Sequence, residues 1–229
     1  IGVRLVGSEM CIRDRACSRG DWSKDAFPWL SLRECFIGIA PATVMGVSFS
    51  GELAYEIHIP NASLYVAYLA IQKAGLEFNI KLFGARAVDS MRLEKGFLHW
   101  KADILTEFDP FETGIDKFVN MNKNEFIGKE ALKNRQSKEC LNKLVSLEIS
   151  TKIAPAHGGA TLSIKNKVIG TVTSGDWGHR INKNIAYAFI KSEYSSIGSE
   201  VFVDILGEKI SAEIIETCPY DPNFDIIKS

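Results

Sequence analysis

Between residues 43 and 59 the hydrophobic pattern has the period of a sheet. Residues 43–49 (TVMGVSF) are apolar and β-branched, Ser50-Gly51-Glu52 interrupts them, and residues 54–59 (AYEIHI) alternate apolar with polar positions. That pattern predicts a strand, a turn and a half-buried strand, ended by Pro60. The period then changes. Leu64, Ala67, Tyr68, Ile71 and Ala74 recur at three- and four-residue intervals, which predicts a helix with one buried face. Asn61 is placed to cap it and Gly75 to stop it. A second helix is predicted over residues 85–95, ended by Gly96, and a third over residues 128–135.

Residues 134–143 (NRQSKECLNK) are polar, lysine-rich and without periodicity, and read as a linker. Beyond them the pattern changes. Residues 144–149, 161–164, 168–174, 185–190, 200–206 and 209–216 are short strand-like runs, punctuated by Gly158-Gly159, Asn166, Gly175, Gly178, Gly198 and Gly207. Such spacing predicts a small sandwich or barrel. The fold class is therefore α+β: an α+β segment at 16–136, a linker at 137–143 and a β domain at 144–229. Residues 1–15 (IGVRLVGSEMCIRDR) lack a clean period and lack the long apolar stretch of a signal peptide. Their last ten residues resemble a translated sequencing adapter, so residues 1–15 are expected to be foreign or disordered, with the true chain continuing upstream.

Composition narrows the function classes. The 229 residues are 46% hydrophobic and 24% charged with a net charge of -1, which gives no electrostatic reason to expect nucleic acid or an anionic membrane as partner. The apolar runs are too short to span a bilayer. Five scattered cysteines without a CxxC pair predict reduced thiols, and four dispersed histidines give no metal site; the expected location is cytoplasmic.

Four constellations could carry chemistry. In Phe49-Ser50-Gly51-Glu52, closed by Tyr55-Glu56, glycine permits a tight turn and a carboxylate projects from it. A carboxylate accepts two parallel hydrogen bonds from a donor pair such as the amine and adjacent ring N–H of a pterin. In isolation the same three residues would read as a solvated hairpin. Residues 84–100 place Asp89 and Arg92 at i,i+3 on a helix, either as a salt-bridged surface or with the arginine facing an acidic ligand tail. Residues 109–114 (DPFETG) read as a proline-fixed turn entering a strand over 115–121. Residues 173–180 (TSGDWGHR) read as a hairpin tip, a domain contact or part of a site. No dinucleotide or phosphate-loop fingerprint is present.

In order along the chain, these blocks resemble the glycine-cleavage T-protein family. SFSGELAYEIHIP, DSMRLEKGFLHWKADI, FETGIDKFV, FIGKEAL and IGTVTSG match its successive motifs over about residues 27–228. RLEKG followed by HW, the GDWGHR block and the closing CPYDP are similar to the T-protein-like C-terminal region of dimethylglycine and sarcosine dehydrogenases. The resemblance implies a partial T-protein-like folate-binding domain followed by a small C-terminal β-barrel. It implies tetrahydrofolate as the bound cofactor, taking up the N-methyl carbon that a separate FAD domain, missing here, has oxidised. It implies that Glu52 binds the pterin, that Tyr55 lines the pocket, and that Arg92 holds the folate tail or braces the site. The family's catalytic aspartate lies in an upstream block with no counterpart here, so no catalytic residue is assigned and the chain alone is expected to be inactive. The alternatives are a fragment of a glycine-cleavage aminomethyltransferase and a non-catalytic folate-binding module.

Overall fold

The computed structural model describes residues 2–6 and 18–228. They form two compact units, Ile1–Lys95 with Tyr220–Ser229, and Gly96–Pro219.

The first unit is built on a four-stranded antiparallel sheet of β1 (Gly2–Val6), β2 (Leu32–Ile37), β3 (Ala40–Met45) and β4 (Ala54–His58), in the order β1-β4-β3-β2. The strand at Gly2–Val6 corrects the expectation of an unstructured 1–15. It pairs with β4 from Gly2↔His58 to Val6↔Ala54, supplying backbone partners to what would otherwise be an open sheet edge. Residues 7–15 of that stretch lie outside the described residues. β3 begins and ends earlier than the 43–49 run suggested. Phe49 falls in the turn, because Pro41 to Met45 pair with β2 and the chain then departs towards Ser48.

Helix α1 (Leu64–Gly75) follows a short 3-10 turn at Asn61–Ser63. Asn61 makes no capping bond from its side chain, and α1 begins two residues later than the cap would have set. Gly75 is buried inside the last turn instead of stopping the helix. A Cβ there would meet Ile80 Cγ2 at 2.4 Å, so glycine lets the returning chain close on the helix. Ala67, Ile71 and Ala74 do form the buried face, against a core with Ile37, Val44, Ile57 and the aromatic trio Trp22, Phe27 and Tyr55. The alternation along β4 sends Tyr55 and Ile57 into this core. Helix α2 (Ala85–Glu94) ends the unit's first segment.

The second unit carries a closed six-stranded antiparallel barrel in the order β10-β5-β8-β7-β6-β9. Its strands are β5 (Asn142–Ile149), β6 (Thr161–Ile164), β7 (Lys167–Gly178), β8 (Lys183–Lys191), β9 (Glu200–Ile205) and β10 (Glu208–Ile215). Leu147, Leu162, Val172, Ala188, Ile190, Val203 and Ile214 fill it. Closure removes both sheet edges. Gly170 permits a close strand contact, since a Cβ there would stand 2.2 Å from the Phe189 carbonyl oxygen. Most of the TSGDWGHR block is strand, and only His179 and Arg180 reach the hairpin tip. Residues 173–178 continue β7 past a bulge between Val172 and Ser174, and the turn falls at residues 179–182.

Before the barrel, α3 (Pro110–Thr113) is a single helical turn, capped reciprocally by Asp109 and Glu112, where a strand entry was expected. Gly114 leaves it with φ +74, and a 3-10 turn at Asp116–Phe118 follows in place of the predicted strand. Helix α4 (Lys129–Gln136) ends beside the lysine-rich stretch. The compact units do not divide at 137–143. Arg135 pairs with Asp109 and donates to the carbonyls of Lys138 and Glu139, while Glu112 Oε1 accepts from Asn142 N at 3.2 Å. These bonds fasten the stretch to α3 and β5, so the break in compactness lies at Lys95/Gly96. Polarity without periodicity did not mean slack.

Candidate functional site

The turn between β3 and β4 is assembled from its own short side chains. Ser48 Oγ accepts from Gly51 N at 3.1 Å, Ser50 Oγ accepts from Glu52 N at 3.3 Å, and the two hydroxyls are 3.3 Å apart. Serines competing for nearby backbone donors favour such turns. Gly51 has φ +83, in the left-handed region that glycine enters freely. A Cβ there would stand 2.9 Å from Lys95 Cγ. The turn therefore rests directly on the lysine stem, and Glu52 projects from it half-buried.

Under the turn lies the C-terminal end of α2. Arg92, Leu93, Glu94 and Lys95 are all buried, three of them charged. Arg92 is 3% exposed and its Nε lies 3.4 Å from Asp89 Oδ1, the i,i+3 pair expected from the sequence. Lys95 was not singled out by sequence reasoning, yet it is the hub. Its Nζ donates to Asp221 Oδ2 at 2.7 Å and to the backbone carbonyls of Tyr220 and Asp221, and lies 4.1 Å from the Phe224 ring centroid. Burial alone would raise the Asp221 carboxyl. The hydrogen bond from Lys95, with the N–H groups of Asp225 and Ile226, outweighs that and holds it below the ordinary carboxylate range.

The segment 220–228 thus straps across the end of α2. Tyr220 N donates to the Glu94 carbonyl at 3.0 Å, and Tyr220 Oη donates to Glu52 Oε1 at 2.9 Å. Glu52 and the end of α2, two of the sequence-derived positions, are brought together by a tyrosine of the closing CPYDP block, to which the sequence reading gave no site role. Tyr55 is elsewhere. It is buried in the core, its ring 5.8 Å from that of Phe27, and borders a cavity of about 80 Å³ with Trp22 and Trp29. That is well below the about 300–1,000 Å³ of small-molecule sites.

A wider groove of about 690 Å³ lies within the second unit, bordered by Lys101, Thr173 and the stacked rings of Phe108 and Phe189, whose centroids are 3.7 Å apart. Size alone would rank it above the Glu52 turn. It presents no buried charge, and of the 173–180 block only Thr173 borders it. Beside it, fully buried Asp103 accepts from Thr173 Oγ1 at 2.5 Å, from Ser174 Oγ and from His99 N at 2.9 Å. That is a satisfied internal brace. Among the described residues no group of three or more His, Cys, Asp or Glu could hold a metal ion, and no helix is long and apolar enough to cross a membrane.

Two family models match the chain. The GCVT N-terminal domain covers residues 12–123 and the glycine cleavage T-protein C-terminal barrel domain covers residues 142–221. The chain belongs to the glycine-cleavage T-protein superfamily. The match begins at residue 12, inside the stretch read as foreign. Dimethylglycine dehydrogenase of Rattus norvegicus is 35% identical over 197 residues, covering 86% of this T-protein chain and 23% of the relative. Sarcosine dehydrogenase of Homo sapiens is 31% identical over 216 residues, covering 91% and 23%. An aminomethyltransferase of Caldanaerobacter subterraneus subsp. tengcongensis is 32% identical over 181 residues, covering 79% and 48%. The chain thus spans about a quarter of the dehydrogenases' length and about half of the aminomethyltransferase's. The glycine cleavage system aminomethyltransferase T of Bartonella henselae superposes with a TM-score of 0.72 at 25% identity, over 79% of this chain and 50% of that one. The names of both dehydrogenases describe mitochondrial proteins, which lends nothing to the expected cytoplasmic location.

Proposed function

We propose that this T-protein-family chain is the tetrahydrofolate-binding portion of a dimethylglycine/sarcosine dehydrogenase-like protein, serving one-carbon transfer. The observation that carries the reading is the built turn at Glu52. A carboxylate is lifted on a left-handed glycine, seated on a buried lysine stem and held from the side by Tyr220. A carboxylate has about four acceptor positions, one of which takes the Tyr220 hydroxyl, and a carboxylate is the acceptor type that the paired donors of a pterin edge call for. The residues present therefore fit the folate's ring end.

Glu52 would accept from the pterin amine and the adjacent ring N–H. Arg92's burial at the end of α2 supports bracing of the turn over gripping the acidic tail. Tyr55, packed with Trp22 and Phe27, supports the sheet beneath. Bound tetrahydrofolate supplies the amines that take up the one-carbon unit. Oxidation of an N-methylglycine, and the FAD it needs, is assigned to a domain outside these residues, the partner this portion would serve. Identity to dimethylglycine dehydrogenase, at 35% over 86% of the chain against 32% over 79% for the aminomethyltransferase, favours this subfamily, whereas sarcosine dehydrogenase at 31% does not separate from the aminomethyltransferase; the superposition with aminomethyltransferase T keeps a stand-alone aminomethyltransferase as the second reading.

The test is calorimetric titration with 5-formyltetrahydrofolate. The parent chain binds, and Glu52→Ala weakens binding by about 10- to 100-fold, the loss expected for hydrogen bonds to a charged group. Equal binding by parent and variant overturns the pterin assignment.

A further inference from the structure

We infer that Tyr220 is a positioning residue for folate recognition: its hydroxyl fixes the orientation of the Glu52 carboxylate. The inference rests on the reading of Glu52 as the pterin acceptor.

The geometry has three parts. Tyr220 Oη donates to Glu52 Oε1 at 2.9 Å, across 168 positions of sequence. Tyr220 is itself fixed by its backbone, since its N–H donates to the Glu94 carbonyl at 3.0 Å and its carbonyl accepts from Lys95 Nζ. The next residue, Asp221, anchors the strap through the Lys95 ion pair and through bonds from Asp225 N and Ile226 N. The phenol is thus presented by a rigid backbone on one side of the carboxylate, and the Ser48–Ser50–Gly51 turn fixes the carboxylate's own backbone on the other.

A free glutamate rotates about three side-chain bonds, and recognition of two parallel donors needs one orientation. Holding an oxygen beforehand removes that ordering cost from the binding step. A purely structural tyrosine would contribute through its ring and its backbone, and both survive in Tyr220→Phe. Only the hydroxyl is lost, so that substitution separates positioning from packing.

The experiment compares the parent, Tyr220→Phe, Glu52→Gln and the double variant of the full chain. Binding is measured for three probes: 5-formyltetrahydrofolate, the pterin half alone as 6-methyltetrahydropterin, and the tail half alone as p-aminobenzoylglutamate. Melting temperature and the Glu52 carboxyl 13C resonance of the ligand-free chain are recorded alongside. Tyr220→Phe shifts that resonance, leaves melting within a degree or two, and weakens the folate and the pterin by about 5- to 10-fold, within the net worth of one ordinary hydrogen bond because the acceptor itself is kept and only its orientation is released. It leaves the tail half unchanged. In the Glu52→Gln background it costs nothing further, because the two act as one unit. If Glu52→Gln weakens binding and Tyr220→Phe does not, the positioning role is overturned and the pterin assignment stands. An equal loss from Tyr220→Phe in both backgrounds also overturns it, since the hydroxyl would then act independently of Glu52. If Glu52→Gln has no effect, the pterin assignment itself has failed.

Discussion

Lys95 and Asp221 form a buried ion pair at 2.7 Å that joins the end of α2 to the C-terminal strap. The lysine side chain is wholly enclosed and the aspartate nearly so. Removing one member of such a pair leaves an uncompensated buried charge, at a cost of about 3–5 kcal/mol. Asp221→Ala is therefore expected to lower the unfolding free energy of the first unit by that amount. A Lys95→Met/Asp221→Leu double variant recovers much of the loss. Urea denaturation followed by tryptophan fluorescence, with Trp22 and Trp29 in this unit, provides the measurement.

The same pair sets an acid limit. The Asp221 carboxyl is held below its ordinary value despite burial, by Lys95 and two backbone N–H groups. A carboxyl with a depressed folded-state pKa contributes stability above its unfolded value of about 3.9, and that stability is lost as pH falls through the lower folded value. The first unit is expected to be insensitive to this group above about pH 5 and to weaken progressively below about pH 4. In Asp221→Asn this part of the acid limb flattens. Thermal melts across the acid range decide it, and an unchanged limb in the variant speaks against the pair.

Gly51 and Gly114 separate strain from contact. Both have positive φ, at +83 and +74. A methyl at Gly51 meets Lys95, whose head group is pinned, whereas at Gly114 nothing lies within 4 Å. Gly114→Ala should cost only the backbone strain, about 1–2 kcal/mol. Gly51→Ala should cost more, and it should also weaken folate binding by moving Glu52. Paired stability and titration measurements check both parts.

In the barrel unit, Asp103→Ala removes the acceptor that Ser174 Oγ and His99 N share, and one of the two acceptors of Thr173 Oγ1, the other being the Tyr187 carbonyl. Each hydrogen bond lost to the buried carboxylate costs about 1 kcal/mol, since the donors are only partly buried or exposed. The expected loss is several-fold larger than that of Thr173→Val alone, with the urea midpoint as readout. Equal losses would mean that the brace is not shared.

The barrel was nearly fully legible. Six short apolar runs with glycine punctuation predicted six strands: along β9 burial alternates with period two, while β8, buried on both faces, shows as a continuous apolar run. The predicted strand over 168–174 runs on through residues 175–178, because the strand, bulged between Val172 and Ser174, tolerates glycine and aspartate that otherwise signal a turn. Around the site the outcome reverses. Glu52 and Arg92 stood out as motif residues, but the run from Arg92 to Lys95 is buried on every face, which no amphipathic pattern anticipates. Its compensation comes from Tyr220 and Asp221, more than 120 positions away in sequence. Charge satisfied by distant partners leaves no periodic trace. The same physics hid the compact division at Lys95/Gly96, since the lysine-rich stretch near residue 137 is tied down by Arg135 and Glu112 instead of hanging free.

The central claim is that Glu52 reads the paired donors of a pterin. The most direct measurement is the affinity of the parent chain and Glu52→Gln for 5-formyltetrahydrofolate and for its 2-desamino analogue, which lacks the exocyclic amine. The parent should prefer the amine-bearing folate by about tenfold or more, the value of a charge-assisted hydrogen bond, and Glu52→Gln should lose most of that preference. The same preference in both proteins, or none in the parent, would contradict it.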